Sequence, residues 1–217
     1  MRILVTAGPT REHLDPVRFL SNRSSGRMGF AVAERAVARG HCVTLVAGPV
    51  SLTTPRGVRR LDVVSAREML AAVRGCLRAA DALVMCAAVA DWRPRRVSAA
   101  KVKKRTMRPV LRLVANPDIL KSVRSLRRGR VFVGFAAETG DPVPEARRKV
   151  REKDLDLIVA NDVTLPGAGF EVATNRAVFV PREGKPQALP LLSKRQVAAR
   201  LVRWIERRAG VAREKKP

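Results

Sequence analysis

The stretch RILVTAGPT, residues 2–10, decides the fold class of this chain. Its mostly apolar first half runs directly into glycine and proline, which predicts a short strand that ends in a loop. A second run, ALVMC at residues 82–86, has no charged side chain, as expected of a strand covered by helices on both faces. We therefore expect a parallel sheet buried between two helical layers.

Helix and strand patterns alternate outward from these two runs. Helices are predicted at residues 26–39, 66–79, 117–126, 144–153 and 193–208, and further strands at residues 42–46, 131–135 and 157–160. Gly40 should end the first helix, Ser65 should cap the second, and Asn116 with Pro117 should begin the third. This alternation predicts a mostly parallel sheet with right-handed crossovers.

The pattern changes after residue 161. Residues 176–180 and 187–191 predict an antiparallel pair around a turn at 182–185, and residues 210–217 predict a frayed tail. Because we find neither a repeat nor a linker, we expect a single α/β domain over residues 1–217. The expected architecture is a Rossmann-like three-layer sandwich, mostly parallel, with an antiparallel C-terminal segment.

Basic residues dominate the composition, with 44 Lys and Arg against 19 Asp and Glu and a net charge of +25. One interpretation is an anionic partner such as nucleic acid, a membrane surface or polyphosphate. Arginines occur in every predicted helix and loop, which favours a solvated basic surface and makes nucleic acid an unfavoured partner. Aromatic residues make up only 4% of the chain, so stacking surfaces for single-stranded nucleic acid are scarce.

The sequence also bears on location and redox chemistry. No apolar run approaches a membrane span, and the N-terminus lacks a signal-peptide pattern, so we expect a cytoplasmic enzyme. The cysteines Cys42, Cys76 and Cys86 have no metal-ligand spacing. We expect them to be buried small side chains without a disulfide.

Three absences remove common enzyme classes. The sequence has no tyrosine, the usual acid of short-chain dehydrogenases. It has neither a G-x-G-x-x-G fingerprint after the first strand nor a G-x-x-x-x-G-K-[ST] P-loop. A basic nucleic-acid-binding module and an NAD(P)-dependent oxidoreductase nevertheless remain alternatives. Steep salt dependence would identify the first, and an ultraviolet titration with NADPH would identify the second.

The connection between the first strand and the first helix is a candidate anion site. It is far longer than the usual two to six residues and ends in Ser24, Ser25 and Gly26. Backbone N–H groups at a helix start, next to a glycine, can hold a phosphate. A capped helix start without a ligand is the alternative.

Lysines provide further candidates. Lys101 follows a polar segment at residues 93–100 that we expect to form a mobile loop, where a lysine could close over a triphosphate. A solvated hairpin with a returning strand at residues 110–114 explains Lys101 equally well. Lys149 and Lys153 would share a helix face, which suits a polyanion between them or a merely basic helix.

Eight motifs occur in order along residues 1–180: TAGPTR (6–11), DPVR (15–18), SNRSSGRMG (21–29), AAVAD (87–91), KVKK (101–104), NPDI (116–119), GFAAET (134–139) and ANDV (160–163). Together they resemble the phosphopantothenate–cysteine ligase family. The family ligase is often fused to a flavin-dependent decarboxylase, and this chain suits either a stand-alone enzyme or one half of such a fusion.

The resemblance implies a reaction. The carboxylate of 4′-phosphopantothenate attacks the α-phosphorus of CTP, pyrophosphate leaves, and the amine of L-cysteine attacks the acyl-cytidylate to release CMP. Magnesium is the expected cofactor, because it offsets the charge of the triphosphate. The resemblance also implies a homodimer, for which residues 172–191 are the candidate contact.

The resemblance assigns residues to three roles. Asn22, Arg18 and Lys101 are the expected catalytic residues. Nucleotide binding is expected from Met85, Cys86, Ala87, Asp91, Lys101, Pro117, Asp118, Ile119, Leu120, Phe135, Lys149 and Lys153. Substrate binding is expected from Asn22, Ser24, Ser25, Gly26 and Ala88.

Overall fold

The computed structural model describes residues 1–105, 110–167, 169 and 172–214, the last four of these by their backbone alone. Fourteen strands and five helices occur in this part of the chain. The strands are β1 (Arg2–Ala7), β2 (Arg11–His13), β3 (Phe19–Ser21), β4 (Cys42–Ala47), β5 (Val58–Asp62), β6 (Ala82–Met85), β7 (Trp92–Pro94), β8 (Leu113–Ala115), β9 (Val131–Glu138), β10 (Leu157–Asp162), β11 (Thr174–Asn175), β12 (Ala177–Pro181), β13 (Gln187–Ala188) and β14 (Leu192–Ser193). The helices are α1 (Arg27–Ala38), α2 (Ala66–Leu77), α3 (Ile119–Val123), α4 (Val143–Glu152) and α5 (Lys194–Glu214).

Eight strands form the central sheet, in the order β13-β12-β10-β9-β6-β1-β4-β5. The six strands from β10 to β5 are parallel, whereas β12 and β13 run antiparallel. This arrangement confirms the predicted α/β class and the predicted antiparallel C-terminal pair. No helix within the described residues is long and apolar enough to cross a membrane.

Side chains of β1 show how the sheet separates two cores. Ile3 and Val5 belong to the core under α1 and α5, whereas Leu4 belongs to the core under α2, α3 and α4. Successive side chains of a strand point to opposite faces, so a continuous apolar strand feeds both layers. At about 25 cal/mol per Å² of buried apolar surface, these two cores supply the main favourable term in folding.

Several predicted boundaries need correction. Asp118, not Asn116, caps α3, because its carboxylate accepts the amide of Lys121 at 3.1 Å. Predicted as one helix, residues 117–126 instead hold the short α3 and a 3-10 turn (Arg124–Leu126). The helix predicted to end at residue 208 continues to Glu214. The frayed tail at residues 210–217 stays a prediction, and residues 215–217 lie outside the described part.

The cysteine prediction is wrong in part. Cys42 is exposed, and Cys76 and Cys86 are only half-buried, all three as free thiols. Cys42 opens β4, whose side chains alternate between outside and inside at that end. An apolar sequence context therefore does not establish burial at the first position of a strand.

Candidate active site

A cavity of about 510 Å³ lies at the carboxyl edge of the sheet, beyond the ends of β6, β9 and β10. Ligands bind in this crevice in open α/β sheets, because the loops that leave the strands diverge there to opposite faces. The cavity gathers most of the predicted site residues. They are Asn22, Met85, Cys86, Ala87, Ala88, Asp91, Pro117, Asp118, Ile119, Leu120, Phe135, Lys149 and Lys153.

The floor of the cavity is the segment after β6, which hydrogen bonds hold against the loop after β1. Ala87 donates its amide to Thr6 Oγ1 at 3.1 Å, and Ala90 donates to Thr10 Oγ1 at 3.0 Å. Ala88 donates its amide to the carbonyl of Gly8 at 2.9 Å. Two buried threonine hydroxyls thus fix a segment that would otherwise be an irregular loop.

Asn22 stands beside this floor. Its Nδ2 donates to the carbonyl of Val89 at 2.9 Å and to that of Ala88 at 3.4 Å. The amide group is therefore fixed on the segment of Ala88, which the family resemblance assigns to substrate binding. Both bonds use the NH₂ group of the Asn22 amide, so its Oδ1 atom points away from these two carbonyls.

Helix α1 begins next to β1 because of two glycines. Gly26 has a φ of +76°, which favours glycine, and it precedes the first helical residue. A Cβ atom on Gly29 would lie 2.6 Å from Cβ of Ala7, so the helix approaches the strand more closely than any other residue would allow. Ser24, Ser25 and Gly26 line a hollow of about 30 Å³ that shares Met28, Cys86 and Lys194 with the cavity.

The opposite end of the cavity is formed by α3 and α4. Lys149 Nζ lies 2.6 Å from Glu138 Oε1 and 3.3 Å from Glu145 Oε1, and Lys153 Nζ lies 3.0 Å from Asp118 Oδ2. Both predicted lysines therefore line the cavity, and both are balanced by carboxylates of the fold. We call this part the α4 end.

Two predicted catalytic residues, Arg18 and Lys101, are not among the described residues that line the cavity. Arg18 pairs with buried Asp15 at 2.5 Å and donates to the carbonyl of Val102 at 2.8 Å, while the Val102 amide donates to Asp15 at 3.2 Å. These bonds hold the pKa of Asp15 well below its usual range, and the contact with Arg18 is the largest cause. The segment that carries exposed Lys101 is therefore tied to the β2–β3 hairpin.

The residues before Lys101 are also more ordered than predicted. The segment expected to be a mobile loop begins with β7, which pairs with β8, and Ser98 donates its amide to the carbonyl of Leu14. The hairpin alternative is thus confirmed as local structure, with its returning strand at Leu113–Ala115 and with residues 106–109 outside the described part.

The site residues predicted from sequence leave out five polar residues that line the cavity: Arg23, Asn116, Asn161, Asn175 and Lys194. Asn161 follows the apolar part of β10 at the carboxyl edge, a position that could have identified it. Neither Asn175 nor Lys194 carries such a signal. Lys194 also opens α5, so that it lies where α5 and α1 approach the cavity. We call this part the α5 end.

Comparisons with known proteins show which family and relatives this chain resembles. A family described as DNA/pantothenate metabolism flavoprotein C-terminal domain matches residues 1–208. The chain is 48% identical over 207 residues to the coenzyme A biosynthesis bifunctional protein CoaBC of Vibrio cholerae, covering 94% of this chain and 52% of that protein. It thus spans about half the length of the curated relatives it matches.

Two solved structures share the fold. The C-terminal domain of a coenzyme A biosynthesis bifunctional protein CoaBC is 41% identical, with a TM-score of 0.81 and coverage of 95% of this chain and 94% of that one. A Cab2 mutant, solved in complex with phosphopantothenate-cysteine, is 17% identical, with a TM-score of 0.78 and coverage of 97% and 87%. The second likeness bears on the fold alone.

Proposed function

This chain belongs to the DNA/pantothenate metabolism flavoprotein C-terminal domain family, and from that membership we propose that it ligates 4′-phosphopantothenate to L-cysteine with CTP. The proposed intermediate is an acyl-cytidylate, and the products are 4′-phosphopantothenoylcysteine, CMP and pyrophosphate. The reaction belongs to coenzyme A biosynthesis, the process named for the bifunctional relatives. A cytoplasmic location is part of the same proposal.

One observation carries the proposal. Of the six segments that the family resemblance assigns to nucleotide and substrate, five converge on one cavity at the carboxyl edge of the sheet, and the segment of Lys101 does not line it. The fold itself does not require this convergence, because a buried parallel sheet forms without polar groups at its edge. A ligand that needs all of these segments explains why they meet.

The lining suggests how the nucleotide lies. Pro117, Ile119, Leu120 and Phe135 give the α4 end an apolar surface for a base, and Asp118 gives it an acceptor for hydroxyl groups. The phosphates would then extend toward the N-terminus of α1, a 12-residue helix whose backbone N–H groups and dipole favour anions. The acid substrate would meet the α-phosphorus between the two ends, near Asn22.

Cys86 supports transfer through an acyl nucleotide and not through an enzyme thioester. Burial raises the pKa of the Cys86 thiol to about 12, so that the group stays protonated at neutral pH. Thiols react as thiolates, and a protonated thiol would not compete with the amine of cysteine for the activated acyl group. Asn22 can instead accept a hydrogen bond from the attacking amine through Oδ1, because its NH₂ group donates to the carbonyls of Ala88 and Val89.

Magnesium would offset charge on the triphosphate, which makes pyrophosphate a better leaving group. The described residues contain no group of three or more His, Cys, Asp or Glu side chains suited to a metal. Asp91, Asn161 and Asn175 nevertheless offer oxygen atoms along the cavity. This sparse set fits a magnesium ion that takes most of its ligands from phosphates and water.

A homodimer is the assembly that we propose. The candidate contact at residues 172–191 carries two exposed apolar side chains, Val172 and Leu191, and exposed Leu165 adds a third to the same C-terminal region. Sedimentation of the wild type and of Leu191→Glu would test this contact. A wild-type dimer that dissociates in the variant supports it, and a dimer that persists in the variant contradicts it.

The activity itself is tested by product analysis. The protein is incubated with CTP, 4′-phosphopantothenate, L-cysteine and magnesium, and mass spectrometry follows phosphopantothenoylcysteine and CMP. We expect both products in equal amounts, and neither when any one substrate is omitted. The proposal fails if the complete mixture yields no phosphopantothenoylcysteine.

A further inference from the structure

The C-terminal segment brings two polar side chains to the α5 end of the cavity. Strands β11 and β14 pair antiparallel, with Thr174 opposite Ser193, and the Lys194 amide donates to the carbonyl of Ala173 at 3.0 Å. This small sheet brings Asn175, at the end of β11, close to Lys194, which follows β14 and opens α5. Both side chains line the cavity.

Asn175 points to a ligand. The residue is only 4% exposed, yet within the described part of the chain its Oδ1 atom has no hydrogen-bond partner. A buried polar atom without a partner costs about 1–3 kcal/mol, and such atoms are rare in folded proteins. An atom of this kind in the wall of a cavity is satisfied when a ligand brings a donor or a cation.

Lys194 gives the same region a buried positive charge. It is 6% exposed, its Nζ donates to the carbonyl of Gly169 at 3.1 Å, and it lines both the cavity and the hollow at the start of α1. Burial, and then the positive charge of Arg27, lower the pKa of this lysine. The ammonium group is thus already desolvated where it lines the cavity, so an anion bound there meets a cation that the fold holds in place.

The carboxylates among the described lining residues are Asp91 and Asp118. Asp118 is engaged with Lys153 at the α4 end, whereas the α5 end combines Lys194 with the start of α1. Phosphate oxygens are therefore repelled less, and attracted more, at the α5 end. An amide oxygen is also one of the hard ligands that magnesium accepts, so Asn175 suits a phosphate that arrives with its metal.

We propose that Lys194 and Asn175 form the subsite for the terminal phosphates of the magnesium-bound triphosphate. Lys194 offers its ammonium group to the phosphate oxygens, and Asn175 offers its amide oxygen to the magnesium ion. This inference rests on the proposed use of CTP. The phosphate of 4′-phosphopantothenate is the other source of the same chemistry, and the binding experiment separates the two.

Calorimetric titration of the full chain with CTP and magnesium, with CMP, and with 4′-phosphopantothenate tests Lys194. In Lys194→Met we expect CTP binding to weaken about 10- to 100-fold, the loss of one charge-assisted contact, with CMP and phosphopantothenate unchanged. Lys185→Met is the matched control, because it removes the same charge from the exposed turn after β12 and should leave all three affinities unchanged. Lys194→Gln provides a second neutral side chain if the methionine variant does not fold.

The outcomes separate the inference from the proposed function. Unchanged CTP affinity in a folded Lys194 variant overturns the inference, and so does an equal loss for CMP, which lacks the terminal phosphates. Loss confined to phosphopantothenate would assign the subsite to the acid substrate and also overturns it. If the wild type binds no CTP, the proposed function itself fails.

Asn175→Ala tests the second half of the subsite. With magnesium we expect CTP binding to weaken about tenfold, and with a chelator in place of magnesium we expect the affinity of the variant to equal that of the wild type. Asn175→Asp keeps an oxygen ligand and should retain the magnesium dependence. A loss of the same size with and without magnesium would show that Asn175 does not face the metal.

Discussion

At the α4 end of the cavity Lys149 lies between Glu138 and Glu145, whereas at the α5 end Lys194 is buried beside Arg27 and Cys86. Burial works against the charged form of Lys149, but Glu138 and then Glu145 outweigh it and raise its pKa. Burial and then Arg27 lower the pKa of Lys194. The fold therefore pairs Lys149 with carboxylates at one end and places Lys194 beside another cation at the other.

The difference teaches that a count of basic residues says little about where a ligand binds. The net charge of +25 is spread over the chain, and the two lysines first predicted around the polyphosphate are both paired with carboxylates. Free energy for binding an anion comes from a charge that the protein has already desolvated and placed at the site. By that criterion a single lysine at the α5 end outweighs the more obvious basic helix.

The largest expected effect lies between the two ends, at Asn22. If the ends hold the nucleotide, Asn22→Ala should keep its affinity for CTP and lose about 100- to 1000-fold in turnover, as expected when one preorganised polar contact to the reacting groups is lost. We expect one equivalent of pyrophosphate and a trapped acyl-cytidylate, measured by rapid quench and mass spectrometry. If the Asn22→Ala variant no longer binds CTP, the contrast between the two ends fails, because the nucleotide would then contact the middle of the cavity as well.

Lys101 lies outside both ends of the cavity, and we expect it to bring a further positive charge to the triphosphate. Lys101→Ala should slow pyrophosphate release by roughly tenfold, the effect of one charge-assisted contact, while cysteine transfer from preformed acyl-cytidylate keeps its rate. Asp15→Asn should slow the same step, because Asp15 and Arg18 hold the backbone at Val102. Lys103→Ala on the same segment is the control, and an equal loss there would reduce Lys101 to one of several surface charges.

The pH dependence of CTP binding sharpens the comparison at the α5 end. A lowered pKa means that Lys194 loses its proton, and with it the attraction for phosphate, as pH rises toward the ordinary lysine pKa of about 10.4. Affinity should therefore be full at neutral pH and fall by about tenfold in alkaline solution. Lys194→Arg should flatten the profile, because a guanidinium stays protonated; identical profiles in the two proteins would assign the titration to another group.

The smallest expected effects concern the free energy of unfolding of the ligand-free protein, which should change in opposite directions when Lys149 and Lys194 are replaced. Lys149→Met leaves Glu138 and Glu145 without their shared cation and should lower the free energy of unfolding by about 1 kcal/mol, since the pair is partly exposed. Lys194→Met removes a desolvated charge and should raise it by about 1 kcal/mol. Urea denaturation measures both, and a decrease of similar size in both variants would erase the contrast.

Residues with a local signal were predicted well. Apolar runs gave the central strands, Ser65 caps α2 by accepting the amide of Glu68 as expected, and Gly40 ends α1 with a φ of +80°. Each of these features depends on the side chain itself or on its neighbours in sequence. The same holds for the loop after β1, where Gly26 was predicted to open a helix and precedes Arg27.

Features that depend on distant partners were missed. The edge strand β5 is polar in sequence and exists because it pairs with β4, and the β2–β3 hairpin is anchored by Glu12, whose carboxylate accepts the amide of Ala66. Lys194 is one of 44 basic residues, and only the pairing of β11 with β14 turns it into a buried one. No local pattern could have distinguished it.

Pyrophosphate release in the absence of cysteine tests the central claim most directly. With CTP, 4′-phosphopantothenate and magnesium, the account predicts a burst of about one pyrophosphate per active site, followed by steady turnover only after L-cysteine is added. Release from CTP without 4′-phosphopantothenate, or no release until cysteine is present, would contradict an acyl-cytidylate formed in this cavity.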